Sequence, residues 1–129
     1  MSDPLPRLIT IASESPAGAR YDNHVIGSVN DHVVRISTMT EPFYWHVHPD
    51  SDETFLCIEG GLRIEFESGV LELQPGQLGT VPRGARHRTS PLSARSVNLT
   101  FERANAETLK IEPTQHAQSG SVPPSTPQR

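Results

Sequence analysis

The amino-acid sequence predicts an all-β fold in which short antiparallel strands form a sandwich or a barrel. Three observations support this fold class. Eight short runs of residues favour extended structure, turn-forming residues separate these runs, and the region between the two chain ends shows little helical periodicity.

The first four runs are HVVRISTM (32–39), FYWHVH (43–48), ETFLCIE (53–59) and LRIEFE (62–67). They are rich in the β-branched and aromatic residues that favour strands. In the fourth run the apolar Leu62, Ile64 and Phe66 alternate with charged residues, which fits a strand with one buried face. The Gly60-Gly61 pair before it predicts a hairpin, because both turn residues need a positive φ.

The later runs are VLEL (70–73), LGTV (78–81), HRTS (87–90) and ARSVNLTFE (94–102). They are separated by Ser68-Gly69, Pro75-Gly76 and Pro82-Arg83-Gly84, which are turn-forming sequences. We therefore expect an antiparallel arrangement of consecutive strands joined by short turns.

The chain of 129 residues has the length of one domain. We predict an N-terminal segment over residues 1–19, a barrel over 20–105 and a C-terminal extension over 106–129. The stretch from residue 113 onward holds four of the twelve prolines and a single branched apolar residue. Such a composition cannot bury enough apolar surface to offset the entropy of ordering, so this stretch is predicted to be disordered.

Composition excludes several function classes. The formal charge is −4 and no basic run occurs, which argues against nucleic acid as a partner. No apolar run is long enough to cross a bilayer and the N-terminus lacks the apolar core of a signal peptide, so we expect a cytoplasmic location and no membrane. Lys110 is the only lysine, which makes Schiff-base chemistry an unlikely basis for function.

The segment WHVHPDSDETFLCIEGG (45–61) contains two histidines two positions apart. On a strand, His46 and His48 would point the same way with Cα atoms about 7 Å apart, close enough for both imidazoles to reach one ion. This pair alone fits two alternatives, namely hydrogen-bonded strand histidines or metal ligands.

A second motif favours the metal site. The first half reads His46-x-His48, four residues, Glu53, six residues, Gly60; the second half reads Gly76, five residues, Pro82-x-Gly84, two residues, His87. These spacings resemble the two motifs of the cupin superfamily, in particular its small single-domain bacterial members, across roughly residues 30–103. The matched spacing over two motifs makes the resemblance specific.

The resemblance implies a double-stranded β-helix, also called a jelly-roll or cupin barrel, with a metal ion inside. Carried over residue by residue, the ligands fall on His46, His48, Glu53 and His87. Three imidazoles and one carboxylate suit one divalent transition ion, for which Fe, Mn, Zn and Ni are all candidates.

Strand alternation predicts which neighbours face the ion. If His46 and His48 face inward, so does Tyr44, a candidate catalytic group, whereas Phe43 and Trp45 face outward. By the same rule Glu53 is accompanied by Phe55 and Cys57, which either line a substrate pocket or fill the barrel core. Arg35 is a further pocket candidate, facing the cavity to bind an acidic group or extending outward.

Other charged residues near the motifs are assigned no part in binding the ion. Asp50 and Asp52 are predicted to orient the turn in which they lie. Arg86 and Arg88 should point away from His87 and pair with nearby carboxylates.

Two function classes remain open. The first is a metalloenzyme acting on a small organic molecule, for which the cupin resemblance implies a dioxygenase, isomerase or cyclase type, including reactions like those of mannose-6-phosphate isomerases and polyketide cyclases. The second is a metal-dependent binding or sensing module without turnover. A homodimer with Trp45 at or near its interface is also expected, because small cupins commonly dimerise and an exposed large aromatic residue often marks a contact.

Overall fold

The structure is a computed structural model that describes residues 4–112. It has one short 3-10 helix, Ile11–Glu14, and is otherwise built of strands and loops within that range. The strands are β1 (Tyr21–Val29), β2 (His32–Met39), β3 (His46–Val47), β4 (Glu53–Glu59), β5 (Leu62–Phe66), β6 (Gly69–Leu73), β7 (Leu78–Val81), β8 (His87–Pro91), β9 (Ser96–Arg103) and β10 (Leu109–Lys110). The predicted disorder from residue 113 onward lies outside the described residues.

The strands form two antiparallel five-stranded sheets. The first has the order β1-β2-β9-β4-β7 and the second the order β10-β3-β8-β5-β6. Strands distant in sequence, such as β4 and β9, are therefore neighbours. This is the predicted all-β double-stranded β-helix, so the fold class is confirmed.

The main hydrophobic core lies between the two sheets. The first sheet contributes Met39, Phe55, Cys57 and Val81, and the second contributes Leu62, Ile64 and Leu73. A second cluster covers the opposite face of the first sheet around Ile36 and Leu99, and Ile9 and Ile11 of the N-terminal segment pack against it. Each fully buried aliphatic side chain of this kind contributes about 1.5–3 kcal/mol to stability.

Most predicted strands agree with the structure to within two residues. One strand was missed and one run was predicted too long. Tyr21–Val29 forms a nine-residue strand that no run had predicted, and the FYWHVH run keeps only His46–Val47 as a strand. The predicted barrel ended near residue 105, whereas β10 at Leu109–Lys110 pairs with β3 in the second sheet.

The Gly60-Gly61 turn joins β4 to β5, but the predicted hairpin is wrong, because β4 pairs with β7 and β9 in the first sheet whereas β5 pairs with β6 and β8 in the second. The two residues have φ values of 81° and 79°, the left-handed conformation that only glycine adopts at little cost. Because the backbone carbonyl of Arg95 lies directly beside Gly60, no side chain fits there. This turn carries the chain from the first sheet to the second.

Among residues 4–112, no helix has the length and apolar character needed to cross a bilayer.

Candidate metal centre

The structure brings the four predicted ligand residues together at the starts of three strands. His46 begins β3, Glu53 begins β4 and His87 begins β8, while His48 follows β3 by one residue. His46 and His87 are directly paired across neighbouring strands. All four side chains are buried, and one potential ligand atom from each lies within 4.8 Å of the others. This group could hold a metal ion.

The loops that carry these residues are held by backbone hydrogen bonds to acidic side chains. Asp50 accepts a hydrogen bond from the Glu107 backbone N–H at 3.1 Å, and Asp52 accepts one from the Arg83 backbone N–H at 2.9 Å. Neither carboxylate belongs to the cluster of potential ligands. Both side chains therefore orient the surrounding loops, as predicted from their place in a turn.

Each imidazole of the cluster is oriented by a backbone carbonyl. The acceptors of the Nδ1 atoms of His46, His48 and His87 are the carbonyl oxygens of Tyr44, Glu107 and Ala85, each 2.9 Å away. A carbonyl oxygen only accepts hydrogen bonds, so Nδ1 must carry the hydrogen in all three rings. In the neutral form each ring therefore presents the lone pair of Nε2, as metal-binding histidines do.

The Nε2 atoms of His48 and His87 lie beside the carboxylate of Glu53. The Glu53 Oε1 atom is 3.1 Å from Nε2 of His48 and 3.3 Å from Nε2 of His87. The His48 Nε2 atom is buried and, although close enough for an ion pair, has no aligned hydrogen-bond partner among the described residues. Lone pairs so close repel one another unless a cation lies among them. The donor set therefore fits a divalent transition ion.

The pKa values also indicate that the cluster favours a positive charge beside Glu53. Burial, assisted by nearby His87, lowers the pKa of His46 to about 4. Burial also disfavours protonated His48, but the adjacent Glu53 carboxylate outweighs it and raises the pKa of His48 to about 9. Burial of Glu53 is likewise outweighed by its contacts with His48 and His87, which lower its pKa to about 2. In the absence of a metal, a proton on His48 thus balances the charge of Glu53 at neutral pH.

Metal binding at pH 7 is therefore expected to release the proton of His48, because coordination needs the Nε2 lone pair that this proton occupies. His46, with a pKa of about 4, and Glu53, with a pKa of about 2, have already lost their protons at this pH. Calorimetric titration with zinc in buffers of different ionisation enthalpy measures this release. The number of protons released should decrease as the pH rises through 9. A binding heat that does not depend on the buffer at pH 7 would contradict the assignment.

A cavity of about 310 Å³ adjoins the cluster. Its wall includes His46, His48 and Glu53, together with the side chains of Phe55 and Arg35. The space equals the share of about ten water molecules in the liquid, so it suits a small ligand. Of the alternatives left open for Arg35, the structure shows the one that faces the cavity. Phe55 lines the cavity and also packs in the core, so both alternatives for it apply.

Tyr44 also lines the cavity, with 41% of its surface exposed. The prediction that Phe43 faces outward is wrong, because it lines the same wall and stacks on Tyr44 at 4.1 Å and on Tyr21 at 5.2 Å between ring centroids. Alternation fails here because residues 43–45 precede the strand and have no ladder to impose a period of two.

Cys57 is not on the cavity wall. It is fully buried in the core with Leu62 and Ile64, where burial raises the pKa of its thiol. The side chain does point inward, as alternation predicted. It lies two residues further along β4 than Phe55, which moves it about 7 Å away from the cluster and into packed core. The pocket assignment of Cys57 is therefore wrong, and it fills the core.

The sequence predictions missed several polar residues of the cavity, among them Thr100 and Glu102 on β9. Both are buried and line the wall beside Arg35. A signal was present, since Ser96, Asn98, Thr100 and Glu102 alternate with apolar residues along the strand. The alternation shows that the two faces differ, and here the polar face is the interior one.

The residues around His87 agree with prediction where the structure tests them. Arg88 pairs with Glu65 at 2.8 Å and Arg86 approaches Glu67 at 3.8 Å. Trp45 is partly buried, and the guanidinium of Arg88 lies 5.7 Å from its ring centroid. A homodimer contact at Trp45 stays a prediction.

The fold and the site together are those of a cupin. The family model described as Cupin domain matches residues 33–99. The chain belongs to the cupin family. It is 41% identical over 111 residues to the protein YdbB of Bacillus subtilis (strain 168), a match that covers 84% of this chain and 94% of YdbB.

Two further comparisons give one protein that is similar in sequence and one that is similar in fold. The chain is 31% identical over 88 residues to homogentisate 1,2-dioxygenase of Pseudomonas entomophila (strain L48), covering 68% of this chain but 18% of that enzyme. A Klebsiella pneumoniae protein described by its double-stranded β-helix domain superposes with a TM-score of 0.71 at 20% identity, covering 84% of this chain and 99% of that one. The latter likeness concerns the fold alone.

Proposed function

We propose that this protein is a metalloenzyme that binds one divalent transition ion through His46, His48, Glu53 and His87 and acts on a small organic molecule. The observation that carries the proposal is the orientation of three imidazoles, whose Nδ1–H groups are held by carbonyls so that Nε2 is left to bind an ion, in one buried cluster with the Glu53 carboxylate. Fe, Mn, Zn and Ni are all compatible with this donor set.

The chain's own residues would prepare the site for chemistry. The backbone carbonyls hold the rings in place before binding, so little reorganisation is needed. Phe43 and Phe55 give the cavity apolar walls that limit access of water, and Tyr44 offers a hydroxyl donor at a partly exposed position. When bound, a divalent ion would act as a Lewis acid that orients and polarises a substrate.

Among the reaction types that cupins suggest, the dioxygenase type has the most support. The match to a named dioxygenase covers 68% of this chain at 31% identity. A mononuclear site with four protein ligands also leaves positions of a six-coordinate ion for the substrate and a second small molecule.

Open coordination positions can be tested without knowing the substrate. The cobalt-substituted protein should show a visible spectrum that shifts on addition of azide, because catalytic metal sites keep exchangeable positions whereas structural sites are closed. A cobalt spectrum that is insensitive to azide at every concentration would contradict an enzymatic site. Protein carrying Asp50→Asn, outside the ligand cluster, should respond as the unmodified protein does.

Turnover is tested with the ferrous protein in an oxygen electrode, using homogentisate and small hydroxylated aromatic acids. We expect oxygen uptake that requires both iron and the organic acid and that is lost in His87→Ala. Binding of these acids without consumption of either oxygen or the acid would instead support the binding-module alternative.

A further inference from the structure

Arg35 is a fixed cation in the cavity next to the metal cluster. It lies on β2 with its side chain 33% exposed, and its Nε atom is 3.3 Å from a carboxylate oxygen of Glu102. Its Nη1 atom donates a hydrogen bond to the Asn23 side-chain oxygen at 3.2 Å. These contacts hold the guanidinium in place on the cavity wall, and a guanidinium has five N–H donors, more than these two contacts use. An anionic ligand could accept from this group.

Thr100 offers a second donor beside Arg35. The two residues are directly paired between β2 and β9, and Thr100 is also paired with Phe55 of β4. The Thr100 side chain lines the cavity and is 2% exposed, yet its hydroxyl has no hydrogen-bond partner in the described part of the chain. A buried hydroxyl without a partner is costly, so a bound polar group would satisfy it.

The charges of the cavity favour one negative charge on the ligand. Glu53 and Glu102 are acidic and Arg35 is basic. Arg35 offsets Glu102, so a divalent ion beside Glu53 would leave one net positive charge. Glu102 would also repel a second carboxylate placed near Arg35.

We propose that Arg35 and Thr100 bind the carboxylate of a small monoanionic organic acid, whose opposite end reaches the cluster of His46, His48, Glu53 and His87. This inference rests on the proposed function, which it deepens by naming the substrate class. Arg35 supplies the charge and the N–H donors that Glu102 and Asn23 leave available, and Thr100 supplies a hydroxyl donor from the neighbouring strand. Asn23 acts as a positioning residue that orients the guanidinium.

Benzoate and benzamide provide a matched pair of probes, because they have nearly the same shape and only benzoate is charged. Their affinities are measured by calorimetry with the zinc-loaded protein, since zinc has no redox chemistry that would consume the probe. We expect benzoate to bind at least about tenfold more tightly than benzamide, the difference that one charge-assisted interaction produces.

Variants assign this preference to the two residues. Arg35→Gln should weaken benzoate binding at least about tenfold while leaving the affinity for benzamide nearly unchanged. Thr100→Val keeps the branched shape but removes the hydroxyl, and should weaken benzoate binding by a smaller factor. Arg63→Gln is the matched control, because Arg63 also lies on a strand and pairs with carboxylates but is outside the cavity. The Arg63→Gln protein should bind benzoate with the affinity of the unmodified protein.

The outcomes separate this inference from the proposed function. Equal affinity for the two probes, or benzoate binding unaffected by Arg35→Gln, would overturn the carboxylate subsite, and the second result would place the carboxylate on zinc. Metal analysis of the same samples tests the metal site independently. If the protein retains zinc but shows no preference for benzoate, only the carboxylate subsite is refuted. If benzoate binding depends on Arg35 but the protein does not retain zinc, only the metal assignment is refuted.

Discussion

The His87→Ala protein is expected to lose its divalent metal on dialysis against a mild chelator, and His48→Ala should behave in the same way. Each change removes one of four protein ligands. It also removes an imidazole that lies beside the Glu53 carboxylate. Changes to groups that merely orient ligands typically weaken metal binding about 10–100-fold, so loss of a ligand should cost at least the upper end of this range. Metal content per chain, measured after dialysis, gives the result.

Asp50→Asn is the control for general electrostatic attraction. Asp50 is an acidic residue near the site, but its side chain accepts a hydrogen bond from the Glu107 backbone and does not belong to the ligand cluster. Asparagine keeps an oxygen acceptor and removes the charge. Metal content should therefore stay near that of the unmodified protein. Full occupancy in His87→Ala, or equal losses in His87→Ala and Asp50→Asn, would be incompatible with the ligand assignment.

The second large effect concerns the turn that joins β4 of the first sheet to β5 of the second. Gly60→Ala should destabilise the metal-free protein by at least about 3 kcal/mol, because the left-handed conformation alone costs about 1–2 kcal/mol for a residue with a side chain. A Cβ atom at this position would in addition overlap the carbonyl oxygen of Arg95 and lie 2.9 Å from the Ser93 hydroxyl. Urea unfolding in the presence of a chelator measures the change without a contribution from bound metal.

Gly76→Ala is the matched control for this substitution. Gly76 has a similar φ of 89°, but a Cβ atom there would meet no heavy atom within 4 Å. Only the conformational cost of about 1–2 kcal/mol should appear. If both substitutions cost the same, the close approach of the Arg95 carbonyl to Gly60 would not be a determinant of stability.

The fold was largely predictable because the strand signals are local. Residues 32–39 and 53–59 form strands at the predicted bounds, and both glycines of the Gly60-Gly61 turn have the predicted positive φ, although the turn connects two sheets and not a hairpin. The strand Tyr21–Val29 was missed because polar and charged residues interrupt its apolar pattern. Pairing with β2 stabilises it, and such tertiary pairing is invisible to local pattern.

The candidate metal site was predictable for a different reason. Its four residues follow a spacing that the cupin resemblance supplied, and all four meet in the structure. The cavity wall was less accessible to prediction. Alternation along a strand indicates which face a side chain occupies, but not its depth in the barrel, which is why Phe55 lines the cavity and Cys57 fills the core. Glu102 was not assigned to the cavity because both faces of β9 are covered, so the alternation along this strand does not reveal which face is the interior one.

The coordination shell of the zinc-loaded protein, measured by X-ray absorption, tests the central claim most directly. With His46, His48, Glu53 and His87 as ligands, the nearest shell should contain nitrogen and oxygen at about 2.0–2.2 Å, with the outer-shell scattering of three imidazoles. No sulfur should appear at about 2.3 Å, because Cys57 lies in the core away from the cluster. A sulfur ligand, or scattering from fewer than two imidazoles, would contradict the assignment of the metal site.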